Sequence, residues 1–165
     1  MPLHFVAWQD TMAKLEMDFP EDRFYSMAGM PTSKILAILA AEQGKTINVE
    51  KANQLKEAAF CQRIQELQPI KWTMDVLQVV QVANKKIAVA SGGNRDTVKQ
   101  SLSAIGVADC FSIIVAAELM GVAPSECCVY EDADLGVEAA RRAGMACVDI
   151  RNFHQPKRLT APETD

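Results

Sequence analysis

The apolar residues in the first part of the chain recur at helical spacing. From His4 to about Leu67 they return every three or four positions, without the alternation that is typical of strands. Pro20, the segment Gly29-Met30-Pro31 and Gly44 interrupt this pattern where helices commonly start or stop. The pattern therefore predicts about four helices that pack through their apolar faces.

After Gln68 the pattern changes to short apolar runs separated by helical stretches. We expect helices over 73–82, 95–105 and 133–143, and strands over 86–90, 111–116, 127–130 and 146–150. Strands that alternate with helices indicate a parallel sheet with crossover helices, and so an α/β protein. We expect a helical domain over 1–68, an α/β domain over 69–155 and a C-terminal tail over 156–165.

Composition and charge narrow the class of protein. The 165 residues are 49% hydrophobic and 23% charged, which is typical of a soluble globular chain. The net charge of −4 leaves no basic face for a nucleic acid, and no apolar run approaches the roughly 20 residues that cross a bilayer. The start at Met1 has no features of a secretory signal, and the five cysteines include no CxxC pair. We expect a reduced, cytoplasmic protein without nucleic-acid or membrane partners, and no pattern indicates an oligomeric state.

A glycine-rich loop follows the strand predicted over 86–90. Ser91, Gly92, Gly93 and Asn94 place a hydroxyl, two flexible residues and an amide at the start of a helix. Backbone N–H groups at a helix start attract anions, so this loop suits a phosphate bound by Ser91, Gly92 and Asn94. The alternative is an ordinary turn in which Ser91 or Asn94 caps the following helix.

An acidic loop follows the strand predicted over 127–130. Glu131, Asp132 and Asp134 lie within four residues. Clustered carboxylates repel one another unless a cation lies between them, and Mg²⁺ is commonly held by one or two carboxylates together with water and a substrate phosphate. We therefore expect Glu131 and Asp132 to be metal ligands. The alternative is that Asp132 caps the next helix, and for Asp134 an interaction with the helix dipole is the favoured interpretation.

Both loops are expected at the carboxyl ends of strands, where open parallel sheets bind their ligands. A phosphate loop and a cation loop at that edge together indicate a Mg²⁺-dependent phosphoryl-transfer site for a small phosphorylated metabolite. Neither loop supplies a nucleophile.

Two segments resemble motifs of a known family. Residues 87–92 (IAVASG) and 129–145 (VYEDADLGVEAARRAGM) resemble the second and fourth motifs of the haloacid dehalogenase-like hydrolases, in the branch of sugar-phosphate phosphatases and β-phosphoglucomutases. The resemblance implies a Rossmann-like parallel core with an N-terminal helical cap domain, and a Mg²⁺-dependent phosphatase that acts on a small phosphorylated sugar.

The same resemblance implies roles for individual residues. Ser91 and Gly92 would bind the phosphoryl group, with Asn94 in reach of the same pocket by analogy. Glu131 and Asp132 would hold Mg²⁺ directly or through water. A loop of the cap domain that contains Gly29, Thr32 and Lys34 would help to select the sugar.

The family's first and third motifs have no counterpart in this sequence. The first is an apolar strand that ends in Asp-x-Asp and supplies the nucleophile and the general acid/base, and the third supplies a lysine. Residues 116–124 run together where the family has a loop and most of a helix. We therefore expect an incomplete sequence with an internal start and a deletion, a core that lacks its central first strand, and little or no turnover. The alternative is an inactive family member that binds phosphate or a phosphosugar and Mg²⁺ in a regulatory role.

Overall fold

The computed structural model describes residues 1–111, 113–114, 121–156 and 158. The chain divides into two compact units, Met1–Glu66 with Pro156–Asp165, and Leu67–Gln155. The first unit contains helices α1 (Pro2–Leu15), α2 (Glu21–Ser26), α3 (Thr32–Glu42) and α4 (Val49–Gln62). The second contains α5 (Lys71–Val82), β1 (Ala88–Val89), α6 (Arg95–Ala104), β2 (Ile113–Ile114), β3 (Cys128–Glu131), α7 (Asp134–Arg142) and β4 (Ala146–Asp149).

The residues at the helix ends of the first unit explain where its helices begin and end. Pro2 occupies the first turn of α1, where its missing N–H costs no helical hydrogen bond, and Glu16 ends the helix in a left-handed conformation (φ 51°). Pro31 precedes α3, and Gly44 follows it with a φ of 61°. Asn48 caps α4 by accepting a hydrogen bond from the Lys51 N–H at 3.0 Å. The four helices predicted from the apolar spacing are all present.

The apolar faces of α1, α3 and α4 meet in a buried core, with α4 packed against both other helices. Aromatic rings in this core pack edge to face, as in the pair Trp8 and Phe19, whose centroids are 5.2 Å apart. The core comprises Phe5, Trp8, Met12, Met17, Phe19, Phe24, Met27, Ile35, Leu36, Leu39, Ala40 and Ala52.

The strands of the second unit pair in parallel. β1 pairs with β2 from Ala88 opposite Ile113, and β3 pairs with β4 from Cys128 opposite Ala146 to Glu131 opposite Asp149. In each pair a helix lies between the two strands in the sequence, as parallel pairing requires. The predicted α/β class, with a helical N-terminal half and parallel strands, is confirmed.

The described strands form two separate two-stranded sheets, one of β1 and β2 and one of β3 and β4. This is the arrangement expected of a core that lacks a central strand. β1 covers 88–89 and not the predicted 86–90, because a strand extends only as far as it has a hydrogen-bonded partner. Of the strand predicted over 111–116, residues 113–114 are observed, while 112, 115 and 116 lie outside the described residues.

The second unit buries few large side chains. Among its described residues the buried apolar ones are Val107, Ala133, Ala140 and Ile150. Neither α5 nor α6 contains a buried residue, and Val82 on α5 is 83% exposed. Trp72 at the start of α5 stacks on Phe153, with ring centroids 4.3 Å apart.

The helices of the described part of the chain are too short or too polar to cross a bilayer. All five cysteines are free thiols.

Candidate active site

The loop that follows β1 is ordered by its own side chains. Ser91 Oγ accepts a hydrogen bond from the backbone N–H of Gly93 at 3.1 Å. Asn94 Oδ1 accepts hydrogen bonds from the N–H groups of Asp96 (2.8 Å) and Thr97 (3.4 Å), and so caps α6. The capping role that was one alternative for Asn94 is therefore the role its side chain has in this structure.

The glycines of this loop differ in the space around them. A Cβ at position 93 would lie 3.3 Å from Ser91 Oγ, which is a tight contact, whereas a Cβ at position 92 would meet no atom within 4 Å. The backbone of Gly92 is thus open to a ligand. The Ser91 hydroxyl accepts from Gly93 and still has its own hydrogen to donate, because a hydroxyl combines one donor with two acceptor positions. The binding of phosphate by Ser91, Gly92 and Asn94 stays a prediction.

The carboxylate of Glu131 folds back on the start of α7. Its Oε1 accepts hydrogen bonds from the backbone N–H groups of Asp132 (3.0 Å) and Ala133 (2.9 Å). Helix α7 begins at Asp134, and its N-cap residue, Ala133, makes no side-chain capping bond. Glu131 therefore pairs with the two N–H groups that directly precede α7, and Asp132 is not the N-cap residue of that helix.

Gly136 makes room for the Glu131 carboxylate. A Cβ at position 136 would lie 2.2 Å from Cδ and 2.4 Å from Oε2 of Glu131, which is closer than two atoms can approach. The conformation of Glu131 therefore requires glycine at position 136. The sequence pattern identified the acid, but the need for this glycine becomes visible only in the folded loop.

The two neighbouring carboxylates suit a small, hard cation. The pKa of Glu131 is raised, mainly by burial and also by the neighbouring Asp132 carboxylate, although hydrogen bonds from the N–H groups of Ala133 and Asp132 lower it. A cation between the two acids would remove the repulsion between their carboxylates. Asp132 is exposed, and two carboxylates supplemented by water and a phosphate match the usual ligand set of Mg²⁺. Within the described residues, no three histidine, cysteine, aspartate or glutamate side chains form a metal-ligand cluster.

Arg151 joins the end of β4 to the start of α7. Its Nε and Nη2 donate to the two oxygens of Asp149 at 2.8 and 2.6 Å, and its Nη1 lies 2.7 Å from Asp134 Oδ1. This guanidinium lowers the pKa of Asp149. Neither Arg151 nor Asp149 belongs to the two loops that the sequence pattern predicts as sites. Both lie at the carboxyl end of the fourth predicted strand, and the rule that identified Ser91 and Glu131 would have found them too.

The loop expected to select the sugar lies between α2 and α3 in the first unit. Gly29 has a φ of 83°, a conformation that favours glycine. Thr32 is the first residue of α3, and Lys34 is exposed in the first turn of that helix. The role of these three residues in sugar selection stays a prediction.

Comparisons with known proteins agree on one family. Residues 2–122 match the family model of the haloacid dehalogenase-like hydrolases. Fructose-1-phosphate phosphatase YqaB of Escherichia coli (strain K12) is 27% identical in an alignment that covers 91% of this chain and 88% of that protein. Beta-phosphoglucomutase of Bacillus subtilis (strain 168) is 23% identical in an alignment that covers 89% of this chain and 75% of that protein. The crystal structure of beta-phosphoglucomutase from Clostridium difficile matches with a TM-score of 0.78 at 21% identity, over 92% of this chain and 79% of that chain.

Proposed function

This chain belongs to the haloacid dehalogenase-like hydrolase family, and on that premise we propose that it serves Mg²⁺-dependent phosphoryl transfer from a small phosphorylated sugar. Two similar proteins carry names that refer to phosphorylated sugars, a fructose-1-phosphate phosphatase and a beta-phosphoglucomutase. The observation that carries the proposal is local. The Glu131 carboxylate is fixed beside Asp132 at the end of β3 by two backbone N–H groups and by the space at Gly136.

The loop after β1 binds the phosphoryl group in this proposal. The Ser91 hydroxyl donates to a phosphate oxygen while it continues to accept from the N–H of Gly93, and the open backbone at Gly92 offers a further N–H. Asn94 contributes by fixing the start of α6, whose helix dipole favours an anion at this end.

The loop after β3 holds the cation in this proposal. Glu131 and Asp132 bind Mg²⁺ directly or through water, and the bound ion offsets the negative charge that phosphate brings to the site. Gly29, Thr32 and Lys34 of the first unit help to select the sugar, an assignment that rests on the family resemblance.

A second candidate function is binding of a phosphosugar and Mg²⁺ without turnover. The observation that favours it is that neither loop offers a nucleophile, because the Ser91 oxygen lies in a backbone turn and the acids of the second loop are assigned to the cation. Phosphoryl transfer in this family needs a nucleophile and an acid/base group. Release of inorganic phosphate from a panel of sugar phosphates separates the two functions, since the binding protein would release none while still responding to Mg²⁺.

The cation assignment is tested by thermal unfolding with and without Mg²⁺. A ligand that binds only the native state stabilises it, by about 2.7 kcal/mol at 100 times its Kd, so the melting temperature should rise by several degrees. Asp132→Asn should abolish this rise, because one of the two ligands loses its charge. Gly136→Ala should reduce it, because the added Cβ displaces the Glu131 carboxylate.

Asp109→Asn is the matched control, since Asp109 is an exposed aspartate of the same unit, in the short helical turn 108–110. It removes the same charge and should leave the response to Mg²⁺ intact. An unchanged Mg²⁺ response in Asp132→Asn would remove the metal assignment.

A further inference from the structure

Arg151 connects two elements of the second unit through its guanidinium. Its Nε and Nη2 donate to the two carboxylate oxygens of Asp149, the last residue of β4, at 2.8 and 2.6 Å. Its Nη1 lies 2.7 Å from Oδ1 of Asp134, the first residue of α7. Two parallel bonds between a guanidinium and a carboxylate fix direction as well as distance, so a guanidinium that β4 holds in place makes the contact with α7.

These contacts restrain the short backbone segment that directs the Glu131 carboxylate. Glu131 is the last residue of β3 and is paired with β4. Only Asp132 and Ala133 separate it from Asp134. The N–H groups of these two intervening residues donate to Glu131 Oε1 at 3.0 and 2.9 Å. Their backbone therefore lies between a paired strand end and a helix start that Arg151 holds.

We propose that Arg151 is a positioning residue for the Glu131 carboxylate, and that it acts by holding the start of α7 at the end of β4. This inference rests on the proposed function, in which Glu131 is a ligand of Mg²⁺. Mg²⁺ demands nearly ideal octahedral geometry, so its affinity depends on how firmly its ligands are directed. The charge of Arg151 acts in the opposite sense, because a positive group repels a cation.

The first test separates the geometry of Arg151 from its charge. Arg151→Lys keeps the positive charge, but an ammonium group cannot hold Asp149 through two parallel bonds and contact Asp134 as well. The Kd for Mg²⁺ is measured by calorimetric titration of the full chain. It should rise about threefold in this variant, which is the size of effect that an exposed ion pair commonly has. A role of charge alone predicts the wild-type Kd, and that result would overturn the proposal.

The matched control is Arg142→Lys. Arg142 lies in the last turn of α7 and pairs with Glu138 at 2.7 Å, so the same substitution leaves the contacts of Arg151 intact. This control should keep the wild-type Kd for Mg²⁺. An equal rise of the Kd in Arg142→Lys would show that the effect is not specific to Arg151, and it would overturn the proposal.

Amide hydrogen exchange tests the positioning without any metal. The N–H groups of Asp132 and Ala133 should exchange with solvent faster in Arg151→Lys than in wild type, because the carboxylate that accepts them is less firmly held. The amides of α6 should keep their wild-type rates and serve as the internal control. Unchanged exchange of the N–H groups of Asp132 and Ala133 would overturn the proposal whether or not Mg²⁺ binds.

Asp134→Ala keeps the test decisive if Arg151→Lys does not fold. It removes the contact with α7 and leaves the two bonds between Arg151 and Asp149 in place, so the N–H groups of Asp132 and Ala133 should again exchange faster. Wild-type exchange rates in this variant would overturn the inference. If the wild-type chain does not bind Mg²⁺ while the variants exchange faster, the cation assignment of the proposed function fails and the positioning role of Arg151 is upheld.

Discussion

His4 is held in the first unit by an aromatic stack and a buried ammonium group. Its ring lies on Phe60, with centroids 4.0 Å apart and planes 5° apart. Lys56, only 4% exposed, places its Nζ 3.2 Å from His4 Nδ1 and 2.9 Å from a carboxylate oxygen of Glu57. Burial, and the nearby Lys56 charge, lower the pKa of His4 from 6.5 to about 3.

This environment predicts an acid sensitivity of the first unit. The unfolded chain binds a proton at His4 below about pH 6.5, while the folded chain keeps His4 neutral down to about pH 3. The free energy of unfolding is therefore unaffected by His4 above pH 6.5 and falls as the pH drops below it, by about 2 kcal/mol between pH 7 and pH 5. Urea unfolding at both pH values measures this loss, and His4→Gln should show a smaller one.

The other histidine provides the control for this experiment. His154 is exposed and lies in the second unit, so His154→Gln should lose as much stability as wild type between the two pH values. Equal losses in His4→Gln and wild type would show that His4 is not held neutral by its surroundings.

Glu131 shows what a sequence can predict about a single residue. Its position after an apolar run identifies it as a site candidate, because strand ends carry function in parallel sheets. Its bonds to two N–H groups and the need for glycine at position 136 arise only when the loop closes. Arg151 lies 17 residues after Asp134 and 20 residues after Glu131 in the sequence. Its contact with Asp134 therefore depends on strand pairing.

Helix α6 depends on a single side chain for its start. Asn94 Oδ1 accepts from two backbone N–H groups, and loss of such a cap costs about 1 kcal/mol. Asn94→Ala should lower the free energy of unfolding of the second unit by this amount, as measured by urea unfolding. Asn94→Ser should retain most of the stability, because serine is also an effective cap. Equal losses in the two variants would contradict the capping role.

The neighbouring residue gives a measure of ligand binding in the same loop. Ser91→Ala removes a hydroxyl whose present hydrogen bond to Gly93 lies in an exposed turn, so its effect on stability should be small. Its Kd for inorganic phosphate should rise several-fold if the hydroxyl donates to phosphate. Asn94→Ser serves as the comparison for this Kd, because it changes the same loop and keeps the cap of α6. Equal phosphate affinity in Ser91→Ala and wild type would show that this loop is an ordinary turn in which Ser91 does not bind phosphate.

At the scale of elements, the sequence predicts whether a segment is a helix or a strand better than it predicts which strands pair. The apolar spacing and the strand-helix alternation identify α1 to α7 and β1 to β4, because both patterns are local. The division of the strands into two sheets is not predictable from any one run, since pairing joins residues as distant as Ala88 and Ile113. The expectation of a missing central strand came from the family resemblance and not from the spacing of apolar residues.

The two units differ in how much apolar surface they bury. Of the described residues, the first unit buries many large side chains, such as Phe5, Phe60 and Leu36, while the apolar residues that the second buries are Val107, Ala133, Ala140 and Ile150. Burial of apolar surface is the main source of stability, at roughly 25 cal/mol per Å². The second unit should therefore unfold at a lower denaturant concentration than the first, and the chain as a whole should depart from two-state unfolding.

The two tryptophans report on the two units separately. Trp8 is 3% exposed in the core of the first unit, and Trp72 stacks on Phe153 in the second. The variant Trp8→Phe reports the unfolding of the second unit through Trp72, and the variant Trp72→Phe reports that of the first unit through Trp8. The urea concentration at the midpoint of the fluorescence change should be lower for Trp72 than for Trp8. Hydrogen exchange on the unsubstituted chain is the control, with the slowest amides expected in α1, α3 and α4. Coincident transitions would show that the two units unfold together.

The same pair of probes ties stability to the proposed cation site. Glu131 and Asp132 belong to the second unit, so a ligand bound there stabilises that unit directly. Addition of Mg²⁺ should raise the Trp72 midpoint and leave the Trp8 midpoint unchanged, and Asp132→Asn should remove the effect on Trp72. An equal rise of both midpoints would mean either that the two units unfold together or that Mg²⁺ stabilises the chain by a general ionic effect. Mg²⁺ in the Asp132→Asn variant distinguishes these, since a general ionic effect would survive the substitution.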